Sequence, residues 1–226
     1  MEQKRDFTEG KLYVISTKVY QLIMVFICLL MACSPSLFLL LFLERSIRYI
    51  WLFAVSVFPL GPGVAAGFST MLLILEGEIN SPFRDYWKKY FINFKDSSKL
   101  WILYIFSMMV CLIDINYLNG TEFNSLSWLL LLIMIVLSNI IIFALIISVK
   151  FSFRTKDILK LSMYYNVTQF PIALKILSYL TIMLGIMAVI SDVLIFFGGI
   201  YLMWVCLKAI QPVFKDVEQN FVDNSN

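Results

Sequence analysis

The stretch that decides the fold is residues 49–75, YIWLFAVSVFPLGPGVAAGFSTMLLIL, which is 27 residues without a charge. A hydrocarbon core of ~30 Å needs about 20 mostly apolar residues to cross it. This segment therefore reads as a membrane span. Its middle carries Pro59-Leu60-Gly61-Pro62-Gly63, followed by Val64-Ala65-Ala66-Gly67. A proline has no N–H to give and crowds the preceding turn, while glycine relaxes the backbone. The helix is expected to kink or break at Pro59, Gly61, Pro62 and Gly63. One reading is a discontinuous helix whose freed backbone groups face a substrate. The preferred reading is a packing kink, with small residues admitting a neighbouring helix.

Other apolar runs flank this one. Residues 19–43 and 126–149 contain no charge, and residues 100–118 contain only Asp114. The last run, residues 176–207, is interrupted only by Asp192. At 1.5 Å per residue it would make a helix of ~48 Å. Extended to 171–210 it holds two short helices with Ser191-Asp192 as the turn. The expected fold is an all-α polytopic membrane bundle in a single domain, with six transmembrane helices at about 19–43, 49–75, 100–118, 126–149, 172–190 and 193–210. Five spans is the alternative. Placing the N-terminus in the cytoplasm puts 16 of the 18 Lys and Arg residues inside under the six-span count, as the positive-inside rule requires. The C-terminus is then cytoplasmic as well.

Composition agrees. Of 226 residues, 61% are hydrophobic and only 15% charged, and the mean hydropathy is +0.86. The net charge of +3 is too small a bias to imply nucleic acid. The chain has no His, which excludes Ser-His-Asp triads, Cys-His pairs and HExxH zinc sites. No phosphate-binding loop occurs, so an ATPase working with this protein would be another subunit. Cys28, Cys33, Cys111 and Cys206 lie in apolar runs without a CxxC and read as buried thiols. No cofactor or metal site is expected.

The connection after the second span is patterned. Phe83, Tyr86, Trp87, Tyr90, Phe91 and Phe94 share a helical face about 140° wide. Arg84, Lys88 and Lys89 stand on the remainder. Ser81 suits an N-cap and Pro82 the first helical position. Residues 82–95 are expected to form an amphipathic helix lying on the cytoplasmic leaflet, drawn by anionic lipid. Docking of a cytoplasmic partner is a compatible reading. A second, weaker interfacial helix is expected before Pro171, which hints at a coarse repeat of two spans and one interfacial helix. Asp114 and Asn139 are the polar residues inside spans. Asp114 reads as a carboxylate reaching water near a span end, or as a proton or ligand site. Asn139 reads as an interhelical hydrogen bond. Glu76 and Glu78, flanking Gly77, are expected to be solvated.

The order of these features resembles the YesL-like family of small bacterial integral membrane proteins, a domain-of-unknown-function family. The resemblance rests on Gly61-Pro62-Gly63-Val64-Ala65-Ala66, on Glu76-Gly77-Glu78, and on the run from Pro82 to Lys95. Phe196-Phe197-Gly198-Gly199 and Met203-Trp204 add to it. It implies an accessory role in carbohydrate uptake beside an ABC transporter and assigns no residue an activity. The functional expectation is a non-enzymatic accessory membrane protein, with the lipid bilayer and ABC transporter subunits as partners. The alternative is a small-molecule binding or transport subunit. Oligomeric state is not read from the sequence.

Overall fold

The computed structural model describes residues 11–42, 47–189 and 192–222. Within them the chain is helical, with no strand. The helices are α1 (Lys11–Phe42), α2 (Ile50–Val57), α3 (Leu60–Glu76), α4 (Pro82–Leu118), α5 (Leu126–Lys150), α6 (Thr155–Thr168), α7 (Phe170–Val189) and α8 (Asp192–Val217). Among the described residues four segments are long and apolar enough to cross a membrane: Tyr13–Ser36, Ile50–Glu76, Pro82–Leu118 and Leu126–Lys150. In the last hairpin Ser191 lies outside the described residues. Asp192 opens α8, and α7 and α8 pack on each other.

α3 is the central element. It touches α1, α4, α5 and α8, and its run from Gly61 to Met71 is buried except for Val64. α8 meets the core along Ile200, Met203, Leu207, Ile210, Phe214 and Val217, a spacing of three and four that makes one helical stripe. α6 turns Ile158, Leu161 and Tyr165 inward in the same way.

Two glycines show opposite uses. A Cβ on Gly61 would overlap Cγ of Trp101 and lie 2.5 Å from that residue's own Cβ, so the close approach of α4 needs a glycine. Gly77 closes α3 at φ 78°, and its N–H and that of Glu78 both reach the Leu73 carbonyl. That is a left-handed helix cap, open to solvent and favouring glycine for backbone reasons alone.

The expected interfacial helix is not a separate element. Residues 82–95 form the first part of α4, a single 37-residue helix that continues through residues 96–99 into the apolar part. The run Lys95-Asp96-Ser97-Ser98-Lys99 is polar but holds neither Gly nor Pro, so nothing ends the helix. Lys99 pairs with Asp96 at 2.8 Å, and Ser97 donates back to the Asn93 carbonyl at 2.6 Å. α6, by contrast, is a separate helix after a short non-helical stretch, so the two segments do not repeat one design.

The contrast between the glycines is measurable. Gly77→Ala should cost about 1 kcal/mol from backbone strain. Gly61→Ala should cost roughly 2 kcal/mol more than that, because the Trp101 ring has to move. Reversible unfolding of both variants in mixed micelles checks this, and equal losses would contradict it.

Candidate functional site

The prolines set the local problem. Inside a bilayer each backbone carbonyl must find a donor within the protein. Pro59 cannot donate to Val55, and Pro62 cannot donate to Phe58. The Val55 carbonyl instead receives the Phe58 N–H at 3.3 Å, and the Phe58 carbonyl receives the Gly61 N–H at 3.4 Å. Gly61 is thereby diverted from its ordinary helical acceptor, the Val57 carbonyl. That oxygen is taken by Trp101, whose Nε1–H donates to it at 3.0 Å. Pro59 has φ −64° and ψ −18°, and Phe58 φ −54° and ψ −46°. The second span is therefore interrupted between α2 and α3 while its backbone stays near helical angles.

A second clamp lies two residues on. Tyr86, fully buried, donates its hydroxyl to the Gly63 carbonyl at 2.9 Å. A Cβ on Gly63 would meet Cys33 Sγ at 3.3 Å, Ala32 at 3.5 Å and the Tyr86 oxygen at 3.6 Å. α1, α3 and α4 thus converge on this glycine. α1 handles its own proline likewise: Pro35 has no N–H for the Met31 carbonyl, and Ser34 Oγ donates there at 2.8 Å.

The aromatic face expected to lie on the membrane is divided by this packing. Tyr86 is buried, and Trp87 and Tyr90 are partly buried against the core. Phe83, Phe91 and Phe94 remain exposed. Edge contacts join Trp87 to Tyr86 at 5.7 Å and to Tyr90 at 5.4 Å, and a tilted contact carries the chain from Tyr90 to Phe94 at 5.6 Å. Phe94 closes on Phe58 at the helix break at 6.3 Å. Arg84 and Lys88 are exposed and Lys89 half-buried. The Ser81 side chain makes no cap bond; Asp85 reaches back to the N–H groups of Asn80 and Ser81 at 3.0 Å each.

Asp114 and Asn139 are not brought together. Asp114 is exposed on the far part of α4. Asn139 is buried on α5 and donates Nδ2 to the Ala173 carbonyl of α7 at 3.0 Å. Because that partner only accepts, the amide orientation is fixed, and Oδ1 is left without a hydrogen bond among the described residues. Glu76, Gly77 and Glu78 are exposed, and the four cysteines are buried and free.

Sequence reasoning missed a second cluster at the end of α8. Tyr165 donates to Asp216 at 2.6 Å, and Lys150 pairs with Glu218 at 2.9 Å while lying over the Phe214 ring at 4.7 Å. Burial, then the hydrogen bond to the acidic neighbour, hold the Tyr165 phenol well above its ordinary value. Partners 51 and 68 positions apart leave no local signal.

Open apolar grooves flank α4. One of about 320 Å³ lies against α2, lined by Val55, Phe58, Ile102 and Phe106. Another of about 490 Å³ lies against α5, lined by Met108, Trp128, Leu132 and Ile135. Among the described residues no three His, Cys, Asp or Glu side chains gather to hold a metal.

A family model described as "Protein of unknown function, DUF624" matches residues 12–115. That family is uncharacterised. The match runs from the start of α1 to near the end of α4, and so contains the helix break and both of its clamps. No curated protein and no solved structure matches the chain.

The two clamps differ in what their loss exposes. Trp101→Phe leaves the half-buried Val57 carbonyl without this donor and should cost about 1–3 kcal/mol. Tyr86→Phe removes a bond to an oxygen inside a helix and should cost roughly 1 kcal/mol. Unfolding measurements in micelles rank the two, and a larger loss for Tyr86→Phe would overturn this reading.

Proposed function

We propose that the chain is a non-enzymatic accessory protein of the membrane that works by associating with a transport complex. The observation that carries this reading is the state of the α2–α3 break. A transporter built on a discontinuous helix presents unpaired backbone groups to its solute. Here the carbonyls released by Pro59 and Pro62 have donors in Phe58, Gly61 and Trp101. The break serves as a joint between helices rather than as a binding site. The grooves beside α4 are apolar and open, which suits acyl chains or a neighbouring helix and not a polar solute.

In this proposal the chain has six spans, α7 and α8 forming the last two, with both termini in the cytoplasm. The distribution of Lys and Arg supports that orientation. The N-terminal third of α4 then stands at the cytoplasmic boundary, where its basic and aromatic residues meet the leaflet or a partner. The YesL-like resemblance suggests carbohydrate uptake as the setting and ABC transporter subunits as the partner class.

Affinity purification of the tagged full-length protein from its native membranes tests the proposal. Transporter subunits should co-purify stably, and a preparation with no stable partner would sink it. Thermal stability of the purified protein should stay flat across a panel of sugars and vitamins. A ligand-dependent rise would favour a binding or transport subunit instead.

A further inference from the structure

The inward turn of Tyr86, Trp87 and Tyr90 fixes which side of α4 faces outward. At 100° per residue, Arg84, Lys88, Phe91, Ile92 and Lys95 fall within about 100° of the helix circumference. All five are exposed. They turn away from the face that holds Tyr86 on Gly63 and Trp101 on Val57. The same outward side continues as Lys99 and then as Ile102, Phe106 and Ile113, three exposed apolar residues. One side of one helix thus changes from apolar to basic between Ile102 and Lys99. With residues 100–118 as the membrane-crossing part, that change marks the membrane edge.

Distance from that edge decides what can cover the outer part. Residues 100–118 make about 28 Å of helix and fill the ~30 Å hydrocarbon core by themselves. A headgroup layer adds only about 5–8 Å on each side. Ile92 and Phe91 lie about 12–14 Å further along the same uninterrupted helix. They are 61% and 71% exposed. Adjacent large apolar side chains left in water are costly, and such a patch marks a contact surface. The charges around them are of one sign. Asp85 holds the Asn80 and Ser81 N–H groups, and Asp96 pairs with Lys99. Among the described residues no carboxylate forms an ion pair with Arg84, Lys88 or Lys95. An apolar pair ringed by three such cations is complementary to an apolar side chain ringed by carboxylates.

We infer that this stripe is a docking surface for an acidic segment of a cytoplasmic protein. Asp and Glu side chains of that segment pair with Arg84, Lys88 and Lys95, and an apolar side chain among them covers Phe91 and Ile92. From Arg84 to Lys95 the stripe is about 16 Å long, which matches three turns of a partner helix laid along it. The inference rests on the accessory, cytoplasm-facing reading proposed above and adds the chemistry of the partner. It does not require that the partner belong to a transporter.

Photocrosslinking of the full-length protein in its native membranes tests it. The photoreactive residue p-benzoylphenylalanine replaces Phe91 or, as a control, the exposed Phe123 of the loop between α4 and α5, and adducts are mapped by mass spectrometry. Position 91 should give a protein adduct joined within a stretch rich in Asp and Glu, and position 123 should not give it. Adding the triple substitution Arg84→Gln/Lys88→Gln/Lys95→Gln removes three exposed ion pairs and should lower the yield about tenfold. Those side chains lie outside the core. Irradiation in about 1 M salt, where charges act over only about 3 Å, needs no substitution of them and should lower the yield as well. Adducts with lipid alone, an adduct with a second copy of this chain, or no adduct at position 91 overturns the inference. So does a protein adduct at a site without acidic residues, or one whose yield ignores both the substitutions and the salt. Transporter subunits that co-purify while position 91 reaches only lipid leave the accessory role standing and remove this surface. An acidic adduct from a protein outside any transport complex leaves this surface standing and removes the transporter as partner.

Discussion

Carbonyl oxygens released by prolines inside a membrane helix must be given new donors, and much of this structure follows from that requirement. Two prolines three positions apart strip two N–H groups from one span. Short-range bonds from Phe58 and Gly61 repair part of the loss. The diversion of Gly61 leaves the Val57 oxygen for a donor from elsewhere, and the Trp101 indole supplies it. That bond brings α4 so close that only glycine fits at position 61. With the Trp101 and Tyr86 contacts both made, α4 is held across the break. One of its faces is committed to the bundle and the opposite one to the surroundings.

This commitment explains what the sequence disclosed and what it did not. The apolar runs announced membrane helices because their lengths match the bilayer, and the kink was legible from Pro59 and Pro62. The buried role of Asn139 followed from a lone amide in a charge-free run. The aromatic period of residues 82–95 was also legible, but periodicity reports only that a face exists, not what covers it. Tyr86 and Trp87 looked lipid-facing because their partners, Gly63 and the core around it, lie more than 20 positions away. The expected interfacial helix ended at residue 95 and the next span began at residue 100, yet a helix passes through the polar residues between them when no glycine or proline interrupts it. The clasp of Tyr165 on Asp216 and Lys150 on Glu218 had no signature, since each residue alone reads as ordinary surface.

The division of α4 bears on what the protein does. Large apolar side chains such as Phe106 and Leu132 remain outward on the α4–α5 hairpin. Cations crowd the near end. Span serines and threonines such as Thr70 and Ser107 bond back to their own helices, while Tyr104 with Ser138, Asn139 with Ala173 and Trp101 with Val57 tie different helices together. The described residues thus offer neighbours apolar and basic surfaces, and the accessory role proposed above rests on them.

The bond between Trp101 and Val57 is the point at which this account is most exposed. Indole N–H exchange, followed by NMR on nitrogen-15-tryptophan protein in lipid nanodiscs, observes it directly. The Trp101 indole proton should be strongly protected and should exchange far more slowly than those of Trp51 and Trp128, which stand at the ends of their apolar segments, where water reaches them. Exchange of Trp101 as fast as theirs would mean that the Val57 carbonyl is not capped, and the helix break would have to be treated as an open site.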